Sequence, residues 1–247
     1  KKSNFIKVGK NYIWLYRFIE GSVKSKFGKN ELKEVAKMLA KYHNILENSN
    51  LNNKKKKIDP FLRKAILKEA QKYKRDIIKK KAKSKEDKIF LKEVEILIKI
   101  MKKLNGETYS ELKQYPVHRD PNPENVLWKG KKLVGVIDFD NVGMINDVLL
   151  KDIAVVLQQG CTNYKKRLNI SKGKYFIKEY KKYRTLSAKE IALLPEMISA
   201  IFVEDFNYVY WMILNDPERV KLNRLERYSN AAQWYWKNKK KLVDVLN

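Results

Sequence analysis

One carboxylate, one carboxamide and a second carboxylate stand at an informative spacing in the middle of the chain. Asp120 and Asn125 lie in His118-Arg119-Asp120-Pro121-Asn122-Pro123-Glu124-Asn125, and Asp138 follows in Ile137-Asp138-Phe139-Asp140. Between them Val126-Leu127-Trp128 reads as a short strand, Lys129-Gly130-Lys131 as a turn, and Leu133 to Ile137 as a second strand. Asn125 then sits just before one strand and Asp138 just after the other. In an antiparallel hairpin those two positions share an end. Neighbouring strands lie roughly 4.8 Å apart, and two oxygen ligands at about 2.1 Å from one octahedral magnesium fit that gap. Asp120 approaches the same end from the preceding loop. Such a set suits phosphoryl transfer, which depends on positioning and charge neutralisation. The alternative is a solvated loop whose Asp and Asn only make turns. It does not explain why both apolar strands end at polar side chains facing one place.

The elements around this set can be read from periodicity and caps. Asn4 to Val8 and Tyr12 to Ile19 read as two strands joined by a Gly9-Lys10-Asn11 turn, and Glu20-Gly21 breaks the second. Asn30 is the expected N-cap of a helix that turns Leu32, Val35, Ala36, Leu39, Tyr42, His43 and Leu46 to one face. His43 continues an apolar face, so it reads as a core histidine rather than a ligand or base. Residues 49–57 form a polar, charged loop suited to disorder or proteolysis. Two helices follow, from Pro60 to about Lys81 and from Glu86 to Leu104, the second ended by Asn105-Gly106. Beyond Asp147 the chain reads as helical again. One helix runs from Lys172 to Tyr183. Another is capped by Ser187 with Glu190 completing a capping box. A last segment from Tyr228 to Leu246 carries Trp234 and Trp236.

H-x-D-x-x-x-x-N, a hairpin, then D-x-D resembles the core of the aminoglycoside phosphotransferase and choline kinase superfamily, which shares its core with protein kinases. The resemblance implies an α+β, protein-kinase-like fold. Residues 1–21 would be the remnant of a small β N-lobe and hinge, and 22–247 a mostly helical C-lobe carrying the catalytic β-hairpin. It implies transfer of the γ-phosphoryl group of ATP or GTP, with Mg2+, to a hydroxyl of a small, often amine-bearing molecule. By position, Asp120 resembles the catalytic base, and Asn125 and Asp138 the magnesium ligands. His118 resembles the brace beneath the catalytic loop, and Asp152 the acidic residue that opens the next helix and ties loops together. Asp140 would assist at a second metal or bind water, or else make a turn. Arg119, where the family more often has glycine, would neutralise phosphate or, as we expect, pair with a loop carboxylate. The backbone of Tyr16, Arg17, Phe18 and Ile19 would bond the adenine. The acceptor would meet Glu204, Asp205, Tyr208 and Trp211, with Trp234 and Trp236, because carboxylates beside aromatics suit a cation; the alternative for these aromatics is the core.

The chain departs from the family in having no glycine-rich phosphate loop. Lys7 stands too close to the hinge to be the phosphate-positioning lysine. The chain starts at Lys1 rather than Met, so an upstream segment supplying the nucleotide lid is expected; if Lys1 is near the true start, a degenerate, non-catalytic binding module is the alternative. A protein kinase is a second alternative. Against it, Asp138 is followed by Phe-Asp rather than Phe-Gly, no A-P-E appears, and Asp152 follows too soon for a long activation loop.

Composition agrees with a globular enzyme. The 247 residues, 44% hydrophobic, suffice for one sizeable core. No apolar run of about eighteen residues or more occurs, so no membrane span is expected, and no signal-peptide pattern opens the chain. The single cysteine, Cys161, forms no intrachain disulfide and reads as a small apolar residue. This fits the expected cytoplasmic location. The net charge of +27, from 55 Lys and Arg against 28 Asp and Glu, raises a nucleic-acid or anionic-membrane partner. Lysine dominates, the cations are spread along the chain, and no recognised nucleic-acid motif occurs. A solvated basic coat that also attracts a nucleotide is the favoured reading.

Overall fold

The computed structural model describes residues 5–9, 11–14, 17–49, 59–139, 146–220 and 223–247. Strands β1 (Phe5–Val8) and β2 (Asn11–Trp14) pair antiparallel, with Val8 opposite Asn11. Gly9 takes a φ of +60°, which glycine adopts without steric cost. The second strand does not reach Ile19 as expected: residues 17–20 have no regular structure. The next backbone pairing is at Ser22, whose N–H and C=O both bond Trp128 at 2.9 Å. Tyr16 lies outside the described residues, as do residues 50–57 of the expected polar loop and Asp140.

Helix α1 (Lys29–Asn48) buries Leu32, Val35, Ala36, Leu39, His43 and Leu46 as its spacing predicts. Its N-cap is Gly28, however, and not Asn30. The Glu31 carboxylate accepts the Gly28 N–H at 3.0 Å, while Asn30 donates to the Lys131 carbonyl 101 residues away. A local cap has been exchanged for a tertiary contact. Helices α2 (Arg63–Lys79) and α3 (Lys85–Lys103) follow, and Ser84 and Asp87 form a capping box at the start of α3. Asn105 does not close α3. Its side chain accepts the Thr108 N–H at 3.1 Å and so starts a further short helix, α4 (Gly106–Glu111). Asn serves either end of a helix, and here the orphan donors of α4 decide which.

Two short antiparallel pairs carry the central loop. Strand β3 (Gln114–Tyr115) pairs with β6 (Asp147–Val148), and β4 (Val126–Lys129) pairs with β5 (Lys132–Val136) through a two-residue Gly130-Lys131 turn. The predicted hairpin is therefore present, with a bulge between Leu127 and Trp128. Trp128 is buried and meets Phe27 edge-on at 6.5 Å. The segment after β2 lies across this hairpin. A Cβ added at Gly135 would come within 2.9 Å of Ile19 Cδ1, so glycine is what lets the two approach.

The rest is helical. Helix α5 (Leu150–Val155) runs into a π-turn (Val156–Gly160), followed by α6 (Ile170–Lys181), α7 (Ala188–Asn215), α8 (Arg224–Lys237) and α9 (Lys239–Leu246). Ser187 and Glu190 form the predicted capping box of α7. By length and mean hydropathy (1.2) α7 qualifies as a membrane span, yet 61% of that window is packed inside the protein. It is the central core helix. Phe206 and Tyr210 from it join Tyr73 of α2 and Phe90 of α3, with Phe90 stacked on Phe206 at 5.1 Å. Aromatic contacts of this kind add to the burial energy of the rings. The architecture is α+β and mostly helical.

Candidate active site

Asp152, fully buried at the start of α5, accepts from two consecutive backbone donors. Its Oδ1 takes the Arg119 N–H at 2.6 Å and its Oδ2 the His118 N–H at 3.2 Å. Oδ2 also faces His43 Nε2 at 3.1 Å. A carboxylate only accepts, so His43 carries its proton on Nε2 and its Nδ1 accepts from the Tyr180 hydroxyl at 2.6 Å. His43 is thus a satisfied core residue. The 118–120 loop hangs from this carboxylate.

His118 then joins the loop to the end of β5. Its Nδ1 accepts the Asp120 N–H at 3.2 Å, so Nε2–H donates to the Ile137 carbonyl at 2.8 Å. The Ile137 N–H bonds the Asn125 carbonyl at 3.0 Å. Asn125 and Asp138 consequently flank the same end of the hairpin. The Phe139 ring stands edge-on to the His118 ring at 4.6 Å. Asp138 is exposed and, like Arg119, left-handed (φ 64° and 71°). Such conformations are uncommon outside glycine and concentrate at functional sites.

The Asn125 amide is oriented without ambiguity. Its Nδ2 donates to the Asp120 carbonyl at 2.8 Å and to Asp120 Oδ2 at 3.1 Å, so Oδ1 points away from Asp120. Asn122 Nδ2 donates to the other carboxylate oxygen of Asp120 at 2.9 Å. Burial pushes the Asp120 carboxyl above its ordinary range and the Asp138 charge adds to the rise. Asn122, His118 and Lys151 oppose it. Oxygen atoms of Asn125 and Asp138 make a hard donor set of the kind magnesium takes.

Asp120 also lines a cleft of about 610 Å³ formed with Arg119, Lys151, Gln158, Glu204, Asp205, Tyr208 and Trp211. The sequence-predicted acceptor residues Glu204, Asp205, Tyr208 and Trp211 therefore share one cavity with Asp120. Tyr208 and Trp211 stack at 5.8 Å, both half-exposed. Trp234 and Trp236 do not reach it. Trp234 lies under Arg167 in a separate groove, and Trp236 lies under Lys239. Both are on α8, whereas α7 supplies the wall of the cleft.

Charges in the cleft are mostly committed. Lys151 Nζ bonds Glu204 at 3.0 Å, which with Arg119 holds the Glu204 carboxyl below its ordinary range against the effect of burial. Arg119 pairs with Asp147 at 3.3 Å, so it meets a carboxylate as expected, but one on strand β6 rather than on a loop, and Asp147 also accepts from the Tyr109 hydroxyl. Asp205 takes a 2.6 Å bond from Gln158 and is in no ion pair among the described residues. Burial, reinforced by Glu204, pushes it up to about 7. The π-turn supplies Gln158, and Gly160 ends it where a Cβ would fall 2.5 Å from the Phe27 ring. Lys151, Asp147 and Gln158 were not among the predicted site residues. The sequence signal is one of position: Lys151 interrupts the apolar run from Val148 to Leu157, and Asp147 and Gln158 bound it.

A sequence profile of the phosphotransferase enzyme family matches residues 12–186. The homoserine kinase of Bradyrhizobium sp. is 36% identical over 86 residues, 35% of this chain and 26% of that protein. The aligned stretch thus spans about a quarter of the length of this curated relative. Two solved structures share the fold. An aminoglycoside phosphotransferase from Alicyclobacillus acidocaldarius superposes with a TM-score of 0.64 at 15% identity, over 98% of this chain and 74% of that one. An ethanolamine kinase from Plasmodium vivax superposes with a TM-score of 0.66 at 16% identity, over 95% and 68%. The profile covers well over half of the residues, and the same residues build the loop and hairpin described above: the chain belongs to the phosphotransferase enzyme family, in the protein-kinase-like fold predicted for it.

Proposed function

We propose that the protein is a small-molecule kinase that moves the γ-phosphoryl group of a nucleoside triphosphate to a hydroxyl of a small, amine-bearing acceptor. One observation carries this reading. Asp120 belongs at once to the network that fixes Asn125 and the Asp138 segment and to the cleft that holds Glu204 and Asp205. A base must touch both the acceptor and the region of the donor phosphate. Asp120 would take the proton of the acceptor hydroxyl. Asn125 Oδ1 and Asp138 would hold Mg2+, whose chemistry is to neutralise charge on the transferred phosphate. His118 and Asp152 hold the loop in position. Asp140, outside the described residues, is left with the role its resemblance implies.

The donor, ATP or GTP, would lie against the end of the hairpin, with its base near the backbone of Arg17, Phe18 and Ile19, and of Tyr16 outside the described residues. In this reading residues 1–21 are the remnant of the N-lobe and hinge, and 22–247 the C-lobe. Access to nucleoside triphosphates implies the cytoplasm. The acceptor preference follows from charge. Four carboxylates, Glu69, Asp120, Glu204 and Asp205, and two cations, Arg119 and Lys151, line the cleft of a chain with net charge +27. Both cations are already paired, and among the described residues Asp205, beside the Tyr208–Trp211 stack, is in no ion pair and can receive an incoming ammonium. The Tyr208–Trp211 stack offers a cation–π face beside it. The homoserine and ethanolamine kinases it resembles are named for amine-bearing alcohols.

The test is a coupled phosphorylation assay with ATP or GTP, magnesium and a panel of hydroxylated amines, run beside matched alcohols without the amine. Transfer to an amine-bearing alcohol, lost by about a hundredfold or more in Asp120→Asn, is the expected result. Equal turnover by Asp120→Asn and the parent would sink the assignment. A peptide substrate preferred over every small alcohol would point to the protein-kinase alternative.

A further inference from the structure

Beyond the acceptor cleft lies a second cavity, of about 480 Å³, bounded by Asn122 and Glu124 of the 118–125 loop, by the end of the π-turn, and by the loop before α6. Four cations line it, Lys26, Lys166, Lys172 and Arg227, against one carboxylate, the exposed Glu124. A lysine-rich chain has basic patches everywhere, but these side chains differ from the coat. Lys166 takes a left-handed backbone (φ 59°), fixed by its N–H on the Asn163 carbonyl at 2.9 Å. That turn carries the Lys166 side chain into the cavity and leaves it partly buried. Among the described residues its ammonium has one hydrogen-bond partner, the neutral Gln159 Oε1, at 3.3 Å. Burial, with the nearby Arg227 and Arg224 charges, holds the Lys166 pKa below its ordinary value, against the opposing pull of the Asp205 carboxylate. Arg227 Nε is buried with no hydrogen-bond partner. Two like charges enclosed together, with donors unused, destabilise a protein unless a counter-anion fills the space.

We propose that this cavity is an oxyanion-binding site for a carboxylate or phosphate group, with Lys166 and Arg227 as its principal donors. The guanidinium and ammonium supply charge-assisted bonds of the type that recognise such groups. Gln159 lines this cavity and the acceptor cleft alike, and Asn122 bonds Asp120 while lining the cavity. A bound anion would sit one side chain away from the reacting centre. The anion is therefore either the acidic end of the acceptor itself or a separate acidic ligand beside it.

Isothermal titration of the full chain with inorganic phosphate tests this without turnover, so its failure leaves the phosphoryl-transfer reading untouched. At physiological salt the Debye length is about 8 Å, which screens the diffuse coat. Lys166→Met and Arg227→Met should each weaken phosphate binding about tenfold or more, while Lys178→Met, on the exposed face of α6, should not. Phosphate should raise the Tm of the parent but not of Lys166→Met. That variant should melt no lower than the parent without phosphate, which shows that it folds. Equal weakening in all three variants, or none in any, would overturn the proposal. Kinetics then separate the two sources. A KM raised by Lys166→Met only for a carboxylate-bearing amino alcohol, and not for its decarboxylated counterpart, assigns the site to the acceptor. Weakened phosphate binding with both KM values unchanged assigns it to a separate ligand.

Discussion

Replacing Asp152 tests the claim that one buried carboxylate suspends the loop carrying Asp120. Asp152→Ala removes the acceptor for three donors, the His118 and Arg119 backbone N–H groups and His43 Nε2–H, in a place closed to water. A buried donor left without a partner costs about 1–3 kcal/mol, so three cost at least about 3 kcal/mol. For a domain of this size that lowers Tm by about 6–12 °C. Asp152→Asn should be milder. Its Oδ1 still accepts from Arg119, and His43 can shift its proton to Nδ1, donate to Tyr180 and accept from the new amide. Two donors, the His118 N–H and the Tyr180 O–H, lose their acceptors, at about 1–3 kcal/mol each. Calorimetric or circular-dichroism melts of the three proteins measure the order parent, Asn, Ala, and turnover should fall in the same order. An alanine variant that melts as high as the parent would refute the reasoning.

Other consequences follow from the same geometry. Asp138→Ala should abolish magnesium-dependent nucleotide binding, measured by titration with and without chelator, while leaving Tm within a few degrees, because Asp138 is exposed. Asp205 has a folded-state pKa raised to about 7, so it is charged only above that value. The KM for an amine-bearing acceptor should therefore fall as pH rises through about 7, and Asp205→Asn should flatten the dependence at a higher KM. Because the raised pKa favours the protonated form, Asp205 favours folding at low pH, and that contribution is lost as pH rises through about 7. In pH-dependent melts Asp205→Asn should remove this component. Trp211→Ala, at the cleft mouth, should raise the amine acceptor KM several-fold with little change in kcat, in line with loss of a partly exposed cation–π contact of about 0.5–1 kcal/mol.

Local signals in the chain were read well where the physics is local. The hairpin from Val126 to Val136 was legible because short apolar runs and the Lys129-Gly130-Lys131 turn between them are short-range features, and the Ser187–Glu190 box because a cap spans one turn. Asn30 and Asn105 were misread because the same side chain serves several ends of structure. Only a carbonyl 101 residues away settles the first. The acceptor aromatics divide in the same way. Tyr208 and Trp211 reach the cleft and Trp234 and Trp236 do not, although all four are aromatic residues on the C-terminal helices.

Residue order alone determined the family, the mixed helical architecture, and the juxtaposition of Asn125 with Asp138, since a tight turn between two short strands brings their outer ends together. Tertiary structure decided which charges are spent and which are open. Lys151 is consumed by Glu204 and Arg119 by Asp147, while Asp205 on one side of Gln159 and Lys166 on the other are in no ion pair among the described residues. Pairing of charges depends on through-space distances of a few ångströms between segments far apart in the chain. No spacing along the sequence encodes such distances directly.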